Sequence, residues 1–198
     1  MVESVKNILK VHLLEKLRLH HTIYRLPAIG EYLEELISDT LKENGMPNDW
    51  KPQRTNSPSK DFTLDTGETF SIKSGLYNIK NATLKFSGSR LGKHSGIDEM
   101  VKSIKDNHAD YYICVAKNDH DWSPTPELGE DKTYYLFVFD SALLDYSGGI
   151  WNKVDNDLGY KYVMDIPGMH ARIVSSMSHQ LWTTVDLSVI GDPEKLVV

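Results

Sequence analysis

The chain has 198 residues, 40% hydrophobic and 25% charged, which is the make-up of an ordinary globular domain. That length buries a full core without covalent staples. One cysteine, Cys114, excludes a disulfide framework and a cysteine-based zinc cluster, and a net charge of −6 argues against a uniformly basic polyanion binder.

Residues 3–20 carry Val5, Ile8, Leu9, His12, Leu13 and Leu17 at helical spacing. They predict an amphipathic helix that packs on the core or on a partner subunit, so residues 1–25 are expected to form a helical arm. Pro27 breaks the chain. A second helix is expected over 28–43, with Ile29, Leu33, Leu36, Ile37, Thr40 and Leu41 on its apolar face and Asn44-Gly45 as its stop. Glu34 falls on the flank of that face, as a surface carboxylate or as part of a site. Residues 45–60 read as a loop. Met46 sits in it, as a core or surface residue or as a wedge between DNA base pairs.

Two alternating runs follow, 61–64 and 69–73, with a turn around Gly67. Phe62, Leu64, Phe70 and Ile72 share the buried face, so Asp61, Thr63, Ser71 and Lys73 share the other. A three-residue loop, Thr66-Gly67-Glu68, places Asp61 opposite Lys73. Alone, that is a cross-strand ion pair worth about 0–1 kcal/mol. A helix is expected over 96–108, strands over 110–116 and 133–139 that pair with each other, and a last strand pair around Ser178-His179. The order predicts an α/β fold of mixed α+β type, with a central mixed β-sheet flanked by helices, in a single domain over 1–198.

Charge is uneven. Residues 73–105 hold seven basic and two acidic side chains, whereas 117–198 hold six basic and thirteen acidic. A basic stripe on an acidic body suits a nucleic-acid face, or is a solvated surface. No apolar run approaches the roughly 20 residues that span a bilayer, and there is no signal-peptide pattern, so a cytoplasmic protein without a membrane partner is expected.

Gly30-Glu31-Tyr32-Leu33-Glu34, Asp61, and Ser71-Ile72-Lys73 together resemble the PD-(D/E)XK nuclease pattern: a helix glutamate, an aspartate opening a strand, and acidic-x-Lys on the next. The resemblance covers about 30–116, the expected catalytic core. It implies a restriction-endonuclease-like fold and a type II restriction endonuclease that cleaves double-stranded DNA at a short palindrome as a homodimer. It further implies Mg²⁺ as cofactor, held by Asp61, the Ile72 carbonyl and Glu34, with Lys73 orienting the attacking water. Two positions depart from the pattern: Lys60 stands where proline is usual, and Ser71 where a carboxylate is usual. Candidate DNA contacts in a flexible 74–94 segment are Asn78, Lys80, Lys85, Ser89, Arg90 and Lys93. Arg172, Ser178, His179 and Gln180 are candidates at the last strand pair. The alternatives are a structure-specific repair or recombination nuclease, a non-catalytic DNA-binding domain of the same fold, and an α/β protein whose Asp61–Lys73 pair is structural.

Overall fold

A computed structural model describes residues 1–52, 60–118, 122, 128 and 130–198. It is a mixed α/β structure with one large sheet and few helices. The first helical segments are α1 (Val2–Ile8), a π turn (Leu9–Leu13) and α2 (Leu14–His21). Val5, Leu9, Leu13 and Leu17 are all fully buried. A four-residue spacing drifts around a helix of 3.6 residues per turn. The wider π turn rotates the stripe back, so all four leucine and valine positions face one core. The segment is no free arm: it packs into a core with the strand Thr133–Asp140 and the next helix. Its end is tied down by a relay: Ala28 N–H donates to Tyr134 Oη (3.1 Å), which bonds His21 Nε2 (2.9 Å), while His21 Nδ1 bonds the Tyr24 carbonyl (2.8 Å).

Helix α3 (Gly30–Glu43) buries Leu33, Ile37 and Leu41, and Gly45 (φ +82°) follows its end as expected of a stop. Ile29 precedes the first turn and is 60% exposed, so it leaves the predicted apolar face. The sheet follows: β1 (Phe62–Thr63), β2 (Thr69–Asn78), β3 (Thr83–Arg90), β4 (Tyr111–Lys117), β5 (Thr133–Asp140), β6 (Asn152–Asn156), β7 (Gly159–Ile166), β8 (Met169–Val174), β9 (Gln180–Asp186) and β10 (Glu194–Val197). Helix α4 (Ile97–Asp106) joins β3 to β4, and the short α5 (Leu187–Ile190) joins β9 to β10.

The spatial order is β10-β5-β4-β2-β3-β9-β8-β7-β6, with β1 beside β2. Among the described strands only β2 and β4 run parallel; the other neighbours are antiparallel. β4–β5 and β8–β9 are the two strand pairs the sequence predicts. Segment 74–90, expected to be flexible, is instead the end of β2 and the whole of β3, which pair from Gly75↔Phe86 to Asn78↔Thr83. Leu84 and Phe86 are the reason: they alternate inward and are buried.

Two cores form, one on each face. Helices α1, α2 and α3 cover Phe70, Ile72, Ile113, Val115, Leu136 and Val138 on the first. Helix α4 joins Tyr112, Cys114, Phe86, Phe137 and Leu181 on the second. Beyond β2 the second face continues through β3, β9, β8 and β7, but among the described residues no helix covers their first face. Lys85, Ser87, Trp182, Thr184, His170 and Arg172 line it, all partly exposed. Among the described residues no helix is long and apolar enough to cross a membrane.

Candidate active site

The site is built on the β1–β2 hairpin. Leu64 N–H donates to the Glu68 carbonyl at 2.9 Å, closing the loop Asp65-Thr66-Gly67. Gly67 takes φ +102°, a left-handed conformation that the last residue of a three-residue hairpin loop requires. The loop therefore lies one position earlier than expected. Phe62 pairs with Phe70, so Asp61 stands level with Ser71 rather than Lys73. A shift of two keeps every side chain on its face. Asp61, Ser71 and Lys73 still converge.

Asp61 Oδ2 accepts hydrogen bonds from Ser71 Oγ (3.0 Å) and from the Ile72 N–H (2.5 Å), and Lys73 Nζ lies 3.5 Å away. Both charged side chains are mostly enclosed, 18% exposed for Asp61 and 19% for Lys73. The N–H and C=O of one strand residue point to the same side. Since the Ile72 N–H meets Asp61, the Ile72 carbonyl faces the same space. That space is a notch in the sheet. β1 pairs with β2 only as far as Phe70, and β3 pairs with β2 only from Gly75 onward. Between them β3 bends away; its register with β9 shifts between Ser87 and Arg90. Gly88 lies in that bend, where a Cβ would stand 2.9 Å from Leu181 Cδ2.

Helix α3 brings Glu34 to the same notch. The loop after the helix is laid along β1 by the Asn48↔Leu64 bridge and by Asp49 N–H to the Thr63 carbonyl (3.0 Å). This seats Trp50 in the first core, where its side chain hydrogen-bonds Glu34. Burial pushes the Glu34 carboxyl above the ordinary range, and the nearby Asp61 charge adds to the push. The Trp50 bond and the Lys73 charge act against it. Cys114 pairs in register with Lys73, and burial pushes its thiol up, so it stays a protonated, unreactive core residue.

Among the described residues no three His, Cys, Asp or Glu side chains gather as a metal cluster. The notch offers a different donor set: two carboxylates, a backbone carbonyl and the Ser71 hydroxyl. These are hard oxygens of the kind Mg²⁺ takes, and a cation there relieves the Glu34–Asp61 repulsion. The donor set fits a divalent ion with Ser71 in place of a third carboxylate.

The structure separates the candidate DNA contacts into groups. Asn78 and Lys80 lie at the β2–β3 turn, at the end of β2 away from the notch, where Asn78 Oδ1 caps the Asn81 N–H (3.0 Å). Arg90, Ser89 and Lys93 lie at the other end of β3, beside the notch. Arg90 Nε donates to Gln180 Oε1 at 3.2 Å. Gln180 is buried and donates to the Gly88 carbonyl, so it fixes the bend and is not placed to meet a base. Ser178 and His179 both take φ +54°, and His179 Nε2 bonds Tyr160 Oη at 2.9 Å. Lys85 and Arg172 lie on the open sheet face, 5.5 and 6.0 Å from the Trp182 ring. Met46 is partly buried and packs on the first core, which opposes a wedge role. Asp119, His120 and Asp121, whose cluster is a weak metal-site signal, lie outside the described residues.

Sequence reading missed Trp50 as the partner of Glu34. No periodicity places a loop residue; the ties of Asn48 and Asp49 to the β1 segment bring it there. No protein-family model matches the chain, and no curated protein is significantly similar to it.

Proposed function

We propose that the chain is a Mg²⁺-dependent endonuclease of PD-(D/E)XK type that hydrolyses double-stranded DNA at a short palindrome, as type II restriction enzymes do. The observation that carries this reading is the meeting of Glu34, Asp61, the Ile72 carbonyl and Lys73 in one notch, from a helix and two strands of different sequence position. Asp61, Glu34 and the Ile72 carbonyl would hold the ion. When bound, Mg²⁺ neutralises phosphate charge and acidifies a water. Lys73 orients that water and offsets charge building on the phosphate. The Ser71 hydroxyl and Ile72 N–H fix Asp61 through one carboxylate oxygen, which would leave the other to bind the ion. Two copies on a two-fold palindrome supply one notch per strand.

The test is digestion of unmethylated phage DNA with Mg²⁺ beside Lys73→Ala, Asp61→Ala and an EDTA control. Discrete fragments, lost in all three, support the reading. Both variants are expected to bind DNA still, and Asp61→Ala to bind metal more weakly. Full cleavage by either variant overturns the assignment. Cleavage confined to branched or damaged DNA moves the reading to a structure-specific nuclease. Binding without cleavage marks a non-catalytic domain.

A further inference from the structure

The two edges of the sheet are treated differently. At β10, Glu194 is held by Lys6 (3.3 Å) and Lys10 (2.7 Å), and Arg18 Nη2 donates to the Val197 carbonyl (3.2 Å). The first helices thus close that edge. At the opposite edge β6 pairs with β7, and among the described residues no other strand stands on its outer side. An edge strand presents unmet N–H and C=O groups and is a template for another strand.

Which groups face outward follows from the hairpin. Asn156 pairs with Gly159 across the two-residue loop Asp157-Leu158. Such a closing pair exchanges both backbone hydrogen bonds, and bonded and non-bonded pairs alternate from there. Asn152, Val154 and Asn156 therefore turn their backbone groups toward β7. Lys153 and Asp155 turn theirs outward.

The sequence of this edge is self-complementary about Val154. Place a second copy of β6 antiparallel to the first, with the two-fold axis at Val154. Each Lys153 then stands opposite Asp155 of the other copy. All outward backbone groups of Lys153 and Asp155 meet a partner, in four hydrogen bonds. Val154 meets its own symmetry mate as a non-bonded pair, where side chains approach closest. The same axis carries the Leu158 loop of one copy beside Ile150 of the other; each side chain is 80% exposed in the single chain. Lys153 and Asp155 already lie 3.7 Å apart along one strand, so the dimer alternates four charges in a closed set. A lysine on an edge deters arbitrary strands; here a second copy matches it with a carboxylate.

We infer that β6 is a homodimerisation edge, joining two copies by antiparallel β6–β6 pairing about Val154 into one continuous sheet. The pairing names a surface for the two copies that the nuclease reading calls for, but it rests on the β6 edge alone, and its test reads assembly without cleavage.

The test is the mass of the full chain in solution by sedimentation, from dilute to concentrated, with charge variants. The wild type shifts from 22.5 kDa toward twice that value as concentration rises. Lys153→Asp and Asp155→Lys each place like charges opposite one another, and each raises the dimer dissociation constant about tenfold or more. The double swap K153D/D155K restores opposite charges and recovers the dimer. On mild oxidation Val154→Cys links to its own copy. Leu19→Cys, exposed on α2, does not, and buried Cys114 does not compete. The inference is overturned by a wild type that stays monomeric at every concentration. It is equally overturned by single swaps that leave the dimer intact, a double swap that fails to restore it, or V154C linking no faster than L19C.

Discussion

Ser71 is the residue on which the proposed nuclease reading turns. It is fully buried, beside Asp61, where a third carboxylate is usual in the family it resembles. Removing its hydroxyl by Ser71→Ala costs about 1 kcal/mol of stability in a denaturant melt, the usual worth of one such bond. Trp50→Phe frees Glu34 from its donor. It is expected to raise the Mg²⁺ concentration needed for half-maximal cleavage and to leave Lys73-dependent activity at saturating Mg²⁺ largely intact. His21 gives a pH signature of its own. Burial lowers its pKa, against the bond to the Tyr24 carbonyl. The folded state thus favours neutral His21, so the unfolded chain binds the proton first. The stability this contributes is present above the ordinary histidine value of 6.5 and is lost as pH falls from there toward the lowered value. Thermal melts should fall over that window, and a His21→Gln variant should lack that component. Asp61 and Lys73 were legible from alternation alone, because an error of two positions in register leaves both on one face. The glycine in the loop held the correct register, for only Gly67 suits the last position.

At the level of elements, buried periodic segments read true and polar ones did not. The stripe of Val5, Leu9, Leu13 and Leu17 marks one helix in sequence, and the structure keeps it on one face by a π turn that no composition announces. Leu13 lies in that turn and is fully buried, so Leu13→Ala is expected to cost about 2–5 kcal/mol in a chemical melt. β3 was hidden because Lys85, Ser87 and Ser89 interrupt its two buried positions, and three glycines nearby suggest a loop. β6 and β7 were hidden for a related reason: an edge hairpin needs few apolar residues, and β6 has only Val154 among its five. Trp50 and Glu34 meet through tertiary placement, which a single strand or helix pattern cannot encode.

Across the whole molecule, the half of the sheet beyond β2 keeps one face open, and Lys85 and Arg172 flank Trp182 on it. Neither cation has an acidic partner among the described residues. If DNA bound at the notch also runs over this face, which is opposite the one that carries Lys73, both cations meet phosphate. Lys85→Ala with Arg172→Ala should then weaken binding to any sequence, and the slope of log affinity against log salt should shallow by about 2, one per phosphate contact. An unchanged slope places the DNA elsewhere. The mixed sheet itself was legible as a class. Its order was not, because the β3–β9 contact that joins the two halves pairs Thr83 with Asp186, and nothing local foreshadows it.

That long pairing also sets a sequence of events in time. The β1–β2 hairpin closes between Phe62 and Phe70, and β2–β3 between Asn78 and Thr83. Closing β3 on β9 spans roughly a hundred residues and costs about 2 kcal/mol more in loop entropy than closing the first hairpin. Asp61, Ser71 and Lys73 can therefore come together early, on a local scaffold. The far wall of the notch, bent by Gly88 and Gln180, arrives only when the last strands dock. In refolding, a Lys73-proximal probe should reach its final signal before one near Trp182, and activity should follow the slower of the two.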